Sequence, residues 1–450
     1  MVQSINPFNS QVLATYPKYN DIDVSDIVNS CAKAHQSWKF ANHSTRAELF
    51  KRLAEELHEQ IHELAELCTL EMGKPISQSY AEIEKCAWLC DYYAGFAADM
   101  LADEDVDVGA TFSGIHNQSL GVILGIMPWN FPFWQVFRFA IPTLAAGNTV
   151  LLKHASNVSG CALAIEKLFH AISAPENIFR TVIADATQVE KMIANPLIKG
   201  VSFTGSDIAG SQVASLAGKH LKPSVLELGG SNPCIILEDA RFDQAVAGII
   251  AGRFQNAGQS CIAAKRILIQ ESVAEKYIER LEALIRSMRT GNPMEPDMEI
   301  GPLAKPEFAQ VLYEQMTKSI QMGAKLLCGG NVESAFFKPA LMIDVTPGMP
   351  VFDDETFGPL CPITTFKDLD QAISLCNNSR YGLGTSIFTA NPDRIMERIE
   401  EFEQSSLFFN SIVKSDPRLP FGGIKDSGYG RELGKDGLLA FVNRQTFVAY

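Results

Sequence analysis

At 450 residues the chain is long enough for two or three domains, and 46% hydrophobic with 20% charged residues describes packed globular protein. A net charge of −14 and a pI near 5.1 exclude a broad nucleic-acid-binding or anionic-membrane surface, while leaving room for a locally positive pocket. No uncharged apolar stretch reaches the roughly 18 residues of a membrane span, and the start, Met1-Val2-Gln3-Ser4-Ile5-Asn6, lacks the pattern of a signal peptide. Ten cysteines with no CxxC pair and no zinc-spaced Cys/His cluster predict a reduced, cytoplasmic setting and no metal site.

In chain order, Val24, Ile27, Val28, Cys31, Ala34 and Trp38 recur at helical spacing, with Asp23 or Ser25 as the expected cap. A second amphipathic helix is predicted over 44–72, on the stripe Phe50, Leu53, Leu57, Ile61, Leu64 and Cys68, and a third over 77–100. The acidic stretch Asp103–Asp107, followed by Gly109 and Gly114, reads as a connection into strands. From Gly121 onward short apolar runs alternate with helical patterns. Strands are predicted at 122–127, 149–153, 200–204, 224–228 and 234–237, the signature of βαβ units in a doubly wound sheet. A second alternation follows, with strands at 266–270, 325–328, 340–345, 362–366 and 385–388, and helices at 241–256, 272–289, 306–322, 368–378 and 391–403. No low-complexity linker separates the two halves, so the cleft between them is the expected site.

Four segments could carry chemistry. Val201–Gly210 runs strand, glycine-containing turn, helix start, which suits a phosphate at the helix N-terminus or is a plain connection. Lys153 ends a strand at the carboxyl edge, where ligands bind in open α/β sheets, or is merely solvated there. Glu227 sits in an apolar strand before Gly229 and Gly230; burial would raise its pKa toward that of a general base, although a salt partner is the alternative. Cys261 follows the polar loop Asn256-Ala257-Gly258-Gln259-Ser260, a setting for a reactive thiol as well as for a structural one.

Taken together the segments resemble the aldehyde dehydrogenase superfamily over nearly the whole chain. Pro128-Trp129-Asn130-Phe131-Pro132 is similar to its PWNFP motif, Phe203-Thr204-Gly205-Ser206 to FTGS, and Glu227-Leu228-Gly229-Gly230 to ELGG. Gly258-Gln259-Ser260-Cys261 is similar to the nucleophile loop GQxC. Later, Glu355-Thr356-Phe357-Gly358-Pro359, Pro420-Phe421-Gly422-Gly423 and Gly428-Tyr429-Gly430-Arg431-Glu432 follow in the family's order. The resemblance implies an α/β, aldehyde dehydrogenase-like fold: a Rossmann-type cofactor domain (1–100 and 120–229), an α/β catalytic domain (230–428) and a small β oligomerisation element (101–119 and 429–450). It further implies Cys261 as nucleophile, Glu227 as the base that activates water, and Asn130 as an oxyanion donor. Trp129, Lys153, Ser156, Gly205, Ser206, Glu355 and Phe357 would serve the cofactor. A homodimer or homotetramer is implied as well.

Within the superfamily the chain is most similar to bacterial succinate-semialdehyde dehydrogenases. Arg138, eight residues after Asn130, and Ser415, five before Pro420, fall where such enzymes address the substrate carboxylate. Gln255 stands six residues before the nucleophile, where some of them carry an arginine, so the carboxylate clamp is expected to be weaker or differently built. Glutarate semialdehyde or a neutral aliphatic aldehyde is the alternative substrate. Ser156 replaces the glutamate that many NAD-preferring relatives carry three residues after the lysine, and without that charge NADP is expected to be accepted beside NAD. A CoA-acylating enzyme, which usually lacks the water-activating glutamate, and a catalytically inactive relative are the competing readings.

Overall fold

In the computed structural model, which describes residues 1–450, a hairpin precedes the first helix: β1 (Val2–Ile5) pairs antiparallel with β2 (Val12–Tyr16). Strands this short and this mixed in exposure leave no periodic signal. Helix α1 (Asp21–Trp38) is capped by Asn20, not by Asp23 or Ser25. The Asn20 side chain accepts from the Ile22 and Asp23 N–H groups at 2.8 and 2.9 Å, and Asp23 accepts in return from the Asn20 N–H at 3.2 Å. The single helix expected over 44–72 is two, α2 (His43–Glu59) and α3 (Ile61–Met72), broken where Gln60 leaves helical geometry at φ −96° and ψ 11°. The break lets α2 follow the long helix α4 (Ile76–Met100) while α3 turns toward the N-terminal hairpin.

Two short strands come next, β3 (Glu104–Asp105) and β4 (Phe112–Ser119), and β4 pairs along its length with the tail strand Val442–Ala449. Residues 429–441, expected in that same small element, go elsewhere. Tyr429 pairs with Leu226, and the short helix Gly434–Leu439 packs beneath the cofactor-side sheet.

That sheet alternates with helices: β5 (Val122–Met127), α5 (Trp134–Ala145), β6 (Thr149–His154), α6 (Ser159–Ala171), β7 (Phe179–Thr181), α7 (Ala186–Ala194), β8 (Ile198–Thr204), α8 (Asp207–Lys219) and β9 (Ser224–Glu227). Its spatial order is Gly428–Tyr429, β9, β8, β5, β6, β7, parallel except for the first strand. All six residues of β5 are buried, because helices cover both faces of a parallel sheet. A side chain at Gly125 would collide with the Phe139 ring, so the glycine lets α5 lie close against the sheet. The chain leaves β5 toward one side and returns through β8 on the other, which makes the carboxyl ends of these two strands the topological switch point.

The second sheet begins with β10 (Asn232–Ile236), α9 (Phe242–Phe254) and β11 (Ala264–Gln270). Seven strands run in the order Lys325–Cys328, Ala340–Ile343, Leu360–Phe366, β11, β10, Thr385–Phe388, Leu407–Phe409, over a hydrophobic core of their own. The helix expected over 391–403 shrinks to Pro392–Met396 plus a 3-10 turn, because Arg398 drops out of helical geometry and Phe402 turns into the core. No helix is long and apolar enough to cross a membrane.

Candidate active site

The segments that leave β5 and β8, Pro128-Trp129-Asn130 and Thr204-Gly205-Ser206, form one wall of a cavity of about 390 Å3 at the switch point. Cys261, Glu355 and Phe357, carried by the second sheet's loops, form the opposite wall. The cavity therefore lies between the two sheets, as the uninterrupted packing of the halves predicts. Trp129 stacks on Phe308 with centroids 4.9 Å apart and meets Phe357 edge-on at 5.8 Å. Ser206 caps α8 by accepting the Ala209 N–H at 3.3 Å. His154, at the end of β6, ties that strand to its neighbours: its Nε2 lies 2.8 Å from the Pro132 carbonyl, and its Nδ1 lies 3.1 Å from the Met127 carbonyl and 2.9 Å from the Ala155 N–H. Burial pulls its pKa down to about 4, so the ring is neutral.

Cys261 ends a loop of unusual backbone. Asn256, Ala257 and Gly258 are all left-handed, at φ 53°, 52° and 74°, a conformation that costs a non-glycine residue about 1–3 kcal/mol. Contacts from several directions hold it. The Asn256 N–H donates to Gln78 Oε1 at 2.7 Å, Asn256 Nδ2 to the Asn130 carbonyl at 2.7 Å, and the Ala304 N–H to Gln259 Oε1 at 2.9 Å. Arg253, at the end of α9, donates to the carbonyls of Thr356, Gly358 and Leu360, which ties the Glu355–Pro359 segment to the nucleophile loop. Asn130 Nδ2 reaches the same loop, 3.1 Å from the Gln259 carbonyl. Of the ten cysteines, all free, nine are buried and only Cys261 is partly exposed, the accessibility that a nucleophile needs.

Burial pushes the Cys261 thiol up to about 11, against the pull of Arg138 and Lys265 and with the help of Glu355 and Glu227. At neutral pH the resting thiol is therefore protonated. Alkylation of cofactor-free protein by iodoacetamide should accelerate about tenfold per pH unit between about pH 7 and 10. A rate that levels off near pH 8 would show a thiol already activated at rest.

Glu227 ends β9 and is buried, with its Oε1 lacking any hydrogen-bond partner. Burial raises its pKa well above the ordinary carboxyl range, opposed by Arg138 and Arg431 and reinforced by Glu432. A side chain at Gly422 would lie 2.7 Å from that oxygen, so the glycine keeps space open in front of it.

A second cavity, of about 250 Å3, reaches Cys261 from another side and is lined by Arg138, Gln255 and Ser415 together with Lys85, Glu82 and Phe421. Here one expectation is corrected. Arg138 does not present a free guanidinium fork, because its Nε is ion-paired with the buried Glu432 and its plane lies 4.6 Å from the Phe421 ring. Ser202 adds a 3.0 Å hydrogen bond to the same carboxylate. Removing the guanidinium would strand buried charge, at a cost of about 3–5 kcal/mol. Arg138 and Glu432 lie 294 residues apart, so nothing local in the sequence announces the pair. Lys85, Arg253 and Lys265 were equally invisible, since each acquires its role only from a distant partner.

Residues 1–447 match the aldehyde dehydrogenase family. The chain belongs to this family. Similar relatives include a probable succinate-semialdehyde dehydrogenase, NADP(+), of Synechocystis, 43% identical with 99% of each chain covered, and the succinate semialdehyde dehydrogenase, NAD(P)+, Sad of Escherichia coli, 40% identical with 98% of this chain and 96% of the relative covered. Among solved structures, succinic semialdehyde dehydrogenase from Streptococcus pyogenes in complex with NADP+ superposes with a TM-score of 0.97 at 32% identity, with 99% of each chain covered.

The family's dinucleotide cofactor fits the residues present. The cavity at the switch point offers aromatic faces at Trp129 and Phe357, a turn at Gly205 before the N-terminus of α8, and a carboxylate at Glu355. Glu355 Oε1 is held by Lys265 and by the Gly230 N–H at 3.0 Å. Its Oε2 faces Gly229, where a side chain would come within 2.6 Å. Lys153 and Ser156 do not line this cavity. Lys153 lies in β6, half-buried with burial lowering its pKa, and Ser156 follows that strand and is exposed. No group of three or more His, Cys, Asp or Glu side chains is placed to hold a metal.

Proposed function

We propose that this aldehyde dehydrogenase oxidises succinate semialdehyde to succinate with NAD or NADP. The Cys261 thiol loses its proton to solvent, the thiolate attacks the aldehyde carbon as the C=O π bond opens, and the resulting thiohemiacetal oxyanion is met by the Asn130 side-chain amide and the Cys261 backbone N–H, donors worth about 3 kcal/mol each in such sites. When bound, a nicotinamide cofactor would supply the acceptor for the hydride that leaves this carbon. What remains is a thioester on Cys261. Glu227 takes a proton from water, the water oxygen bonds to the thioester carbon, and the C–S bond breaks to return the thiolate. Trp129, Gly205, Ser206, Glu355 and Phe357 would hold the nicotinamide half of the cofactor, with Lys153 and Ser156 toward the adenosine half.

The observation that carries the substrate assignment is the charge of the second cavity. Although the chain bears −14 overall, that cavity is lined by Lys85 and Lys414, which form no ion pair, while its other two charges are neutralised, Arg138 by Glu432 and Glu82 by Lys74. A positive recess in an acidic protein suits an aldehyde with an anionic far end. The names of the relatives support the same substrate. Steady-state kinetics on succinate semialdehyde, glutarate semialdehyde and butanal, each with NAD and NADP, test the proposal; it fails if butanal is turned over more efficiently than succinate semialdehyde. In the same assay NADP should support turnover, and Ser156→Glu should shift preference toward NAD by adding repulsion to the 2′-phosphate. Absence of NADP activity in the unmutated enzyme would assign cofactor choice to another residue.

Two coarser features accompany this reading. The sheet of β3, β4 and Val442–Ala449, with Phe112 and Val448 exposed, is the edge through which a homodimer or homotetramer would form. Ten unpaired cysteines suit a reducing cytoplasm.

A further inference from the structure

The second cavity holds one half-buried cation that forms no ion pair, Lys85. Lys85 projects from α4, donates to the Ser415 hydroxyl at 2.8 Å and lies 4.1 Å over the Trp134 ring. The neighbouring charges are spoken for. Arg138 is paired with Glu432, Glu82 with Lys74, and Asp416 with Arg418 at 2.7 Å, while Lys414 is exposed to solvent. Gln255, on the same wall, is neutral. A desolvated ammonium without a counter-ion is unfavourable, and the arrival of an anion relieves it. Because Lys85 uses the Ser415 oxygen as its acceptor, the Ser415 O–H is free to donate into the cavity.

We propose that Lys85 is the specificity-determining cation of this enzyme: its ammonium and the Ser415 hydroxyl together take the distal carboxylate of an ω-carboxylated aldehyde whose carbonyl is presented to Cys261. This rests on the semialdehyde reading above and adds the residue that enforces it. It also assigns the charge that Arg138 cannot supply freely. Burial, with Arg138 and Lys414 adding to it and Cys86 and Asp416 opposing, draws the free Lys85 ammonium down to about 8. A carboxylate at its side favours the charged form, so binding weakens as pH rises through that value.

The test compares unmutated enzyme, Lys85→Met and Lys85→Arg on succinate semialdehyde and butanal from about pH 7 to 9. Methionine keeps the length of the side chain and removes the charge. In Lys85→Met the ratio of kcat/KM for succinate semialdehyde over butanal should fall about ten- to a hundredfold, carried by KM, as loss of one charge-assisted contact predicts. Competitive inhibition by succinate should weaken in parallel. The rise of KM for succinate semialdehyde above about pH 8 in the unmutated enzyme should vanish in Lys85→Met, and Lys85→Arg should keep the preference within about tenfold of the starting ratio. Equal losses on both aldehydes would make Lys85 a packing residue and overturn the assignment, as would Lys85→Arg behaving like Lys85→Met. If the unmutated enzyme prefers succinate semialdehyde but Lys85→Met leaves the ratio unchanged, Lys85 is wrong and the proposed function stands. If the unmutated enzyme prefers butanal, the proposed function itself falls.

Discussion

Cys261→Ala should abolish aldehyde oxidation, lowering kcat by about 10^4-fold or more, the scale on which loss of a covalent nucleophile acts in other enzymes. No other thiol can take over, because the remaining nine cysteines are buried. Several of these, including Cys86, Cys90 and Cys161, have their pKa raised well above the ordinary thiol range by burial. The substitution removes one partly exposed sulfur and leaves the hydrogen bonds that hold the loop, which come from Asn256, Gln259 and Arg253. Cofactor binding, followed by quenching of tryptophan fluorescence through Trp129, should survive. Turnover within about tenfold of the unmutated enzyme in a folded variant would remove Cys261 from the mechanism.

Glu227→Gln should separate the two halves of the reaction. The amide keeps the shape of the carboxyl but cannot take a proton from water, so acylation proceeds and hydrolysis stalls. Mixing with aldehyde and cofactor should give a burst of reduced nicotinamide stoichiometric with active sites, then a steady rate lower by about 10^2–10^4-fold, the usual contribution of a general base. The acidity of Glu227 fixes the direction of the pH profile. Burial raises its pKa well above the ordinary range, and only the carboxylate is a base. Deacylation should therefore fail as pH drops through the elevated value, at a higher pH than for an exposed carboxylate. A steady-state rate equal to that of the unmutated enzyme, with no burst, would show that another group activates the water.

Much of the site was legible because its residues sit where strands end. Ser206 follows β8 and Glu227 closes β9, each at an apolar run that ends in glycine, whereas Asn130, after β5, is marked only by its resemblance to the PWNFP motif. The strands 325–328 and 385–388 are legible to the residue because glycines bound them, Gly323 and Gly329 around the first and Gly384 before the second. What was not legible depends on partners far away in sequence. Arg138 reads as a free cation until Glu432 is placed against it, and Lys85 reads as one charged position on an amphipathic helix until Ser415 arrives from 330 residues away. Gln60 carries no breaker residue; the different packing of α2 and α3 decides the break there. Nor could the left-handed backbone at Asn256 and Ala257 be expected, since alanine disfavours it and only the surrounding hydrogen bonds impose it.

The edge strand Gly428–Tyr429 and the counter-ion Glu432 complete a sheet whose other strands all lie between residues 122 and 227. During synthesis, at about 5–20 residues per second, the roughly two hundred residues between Glu227 and Gly428 take on the order of ten to forty seconds to emerge. Through that interval the first sheet has a bare edge at β9, and Arg138 lacks its ion-pair partner Glu432. The first sheet is thus completed only after the second has been made, and the ionic surroundings of Glu227 wait on Glu432. A nascent chain that has not reached residue 428 therefore presents the β9 edge unpaired, open to strand pairing with its neighbours.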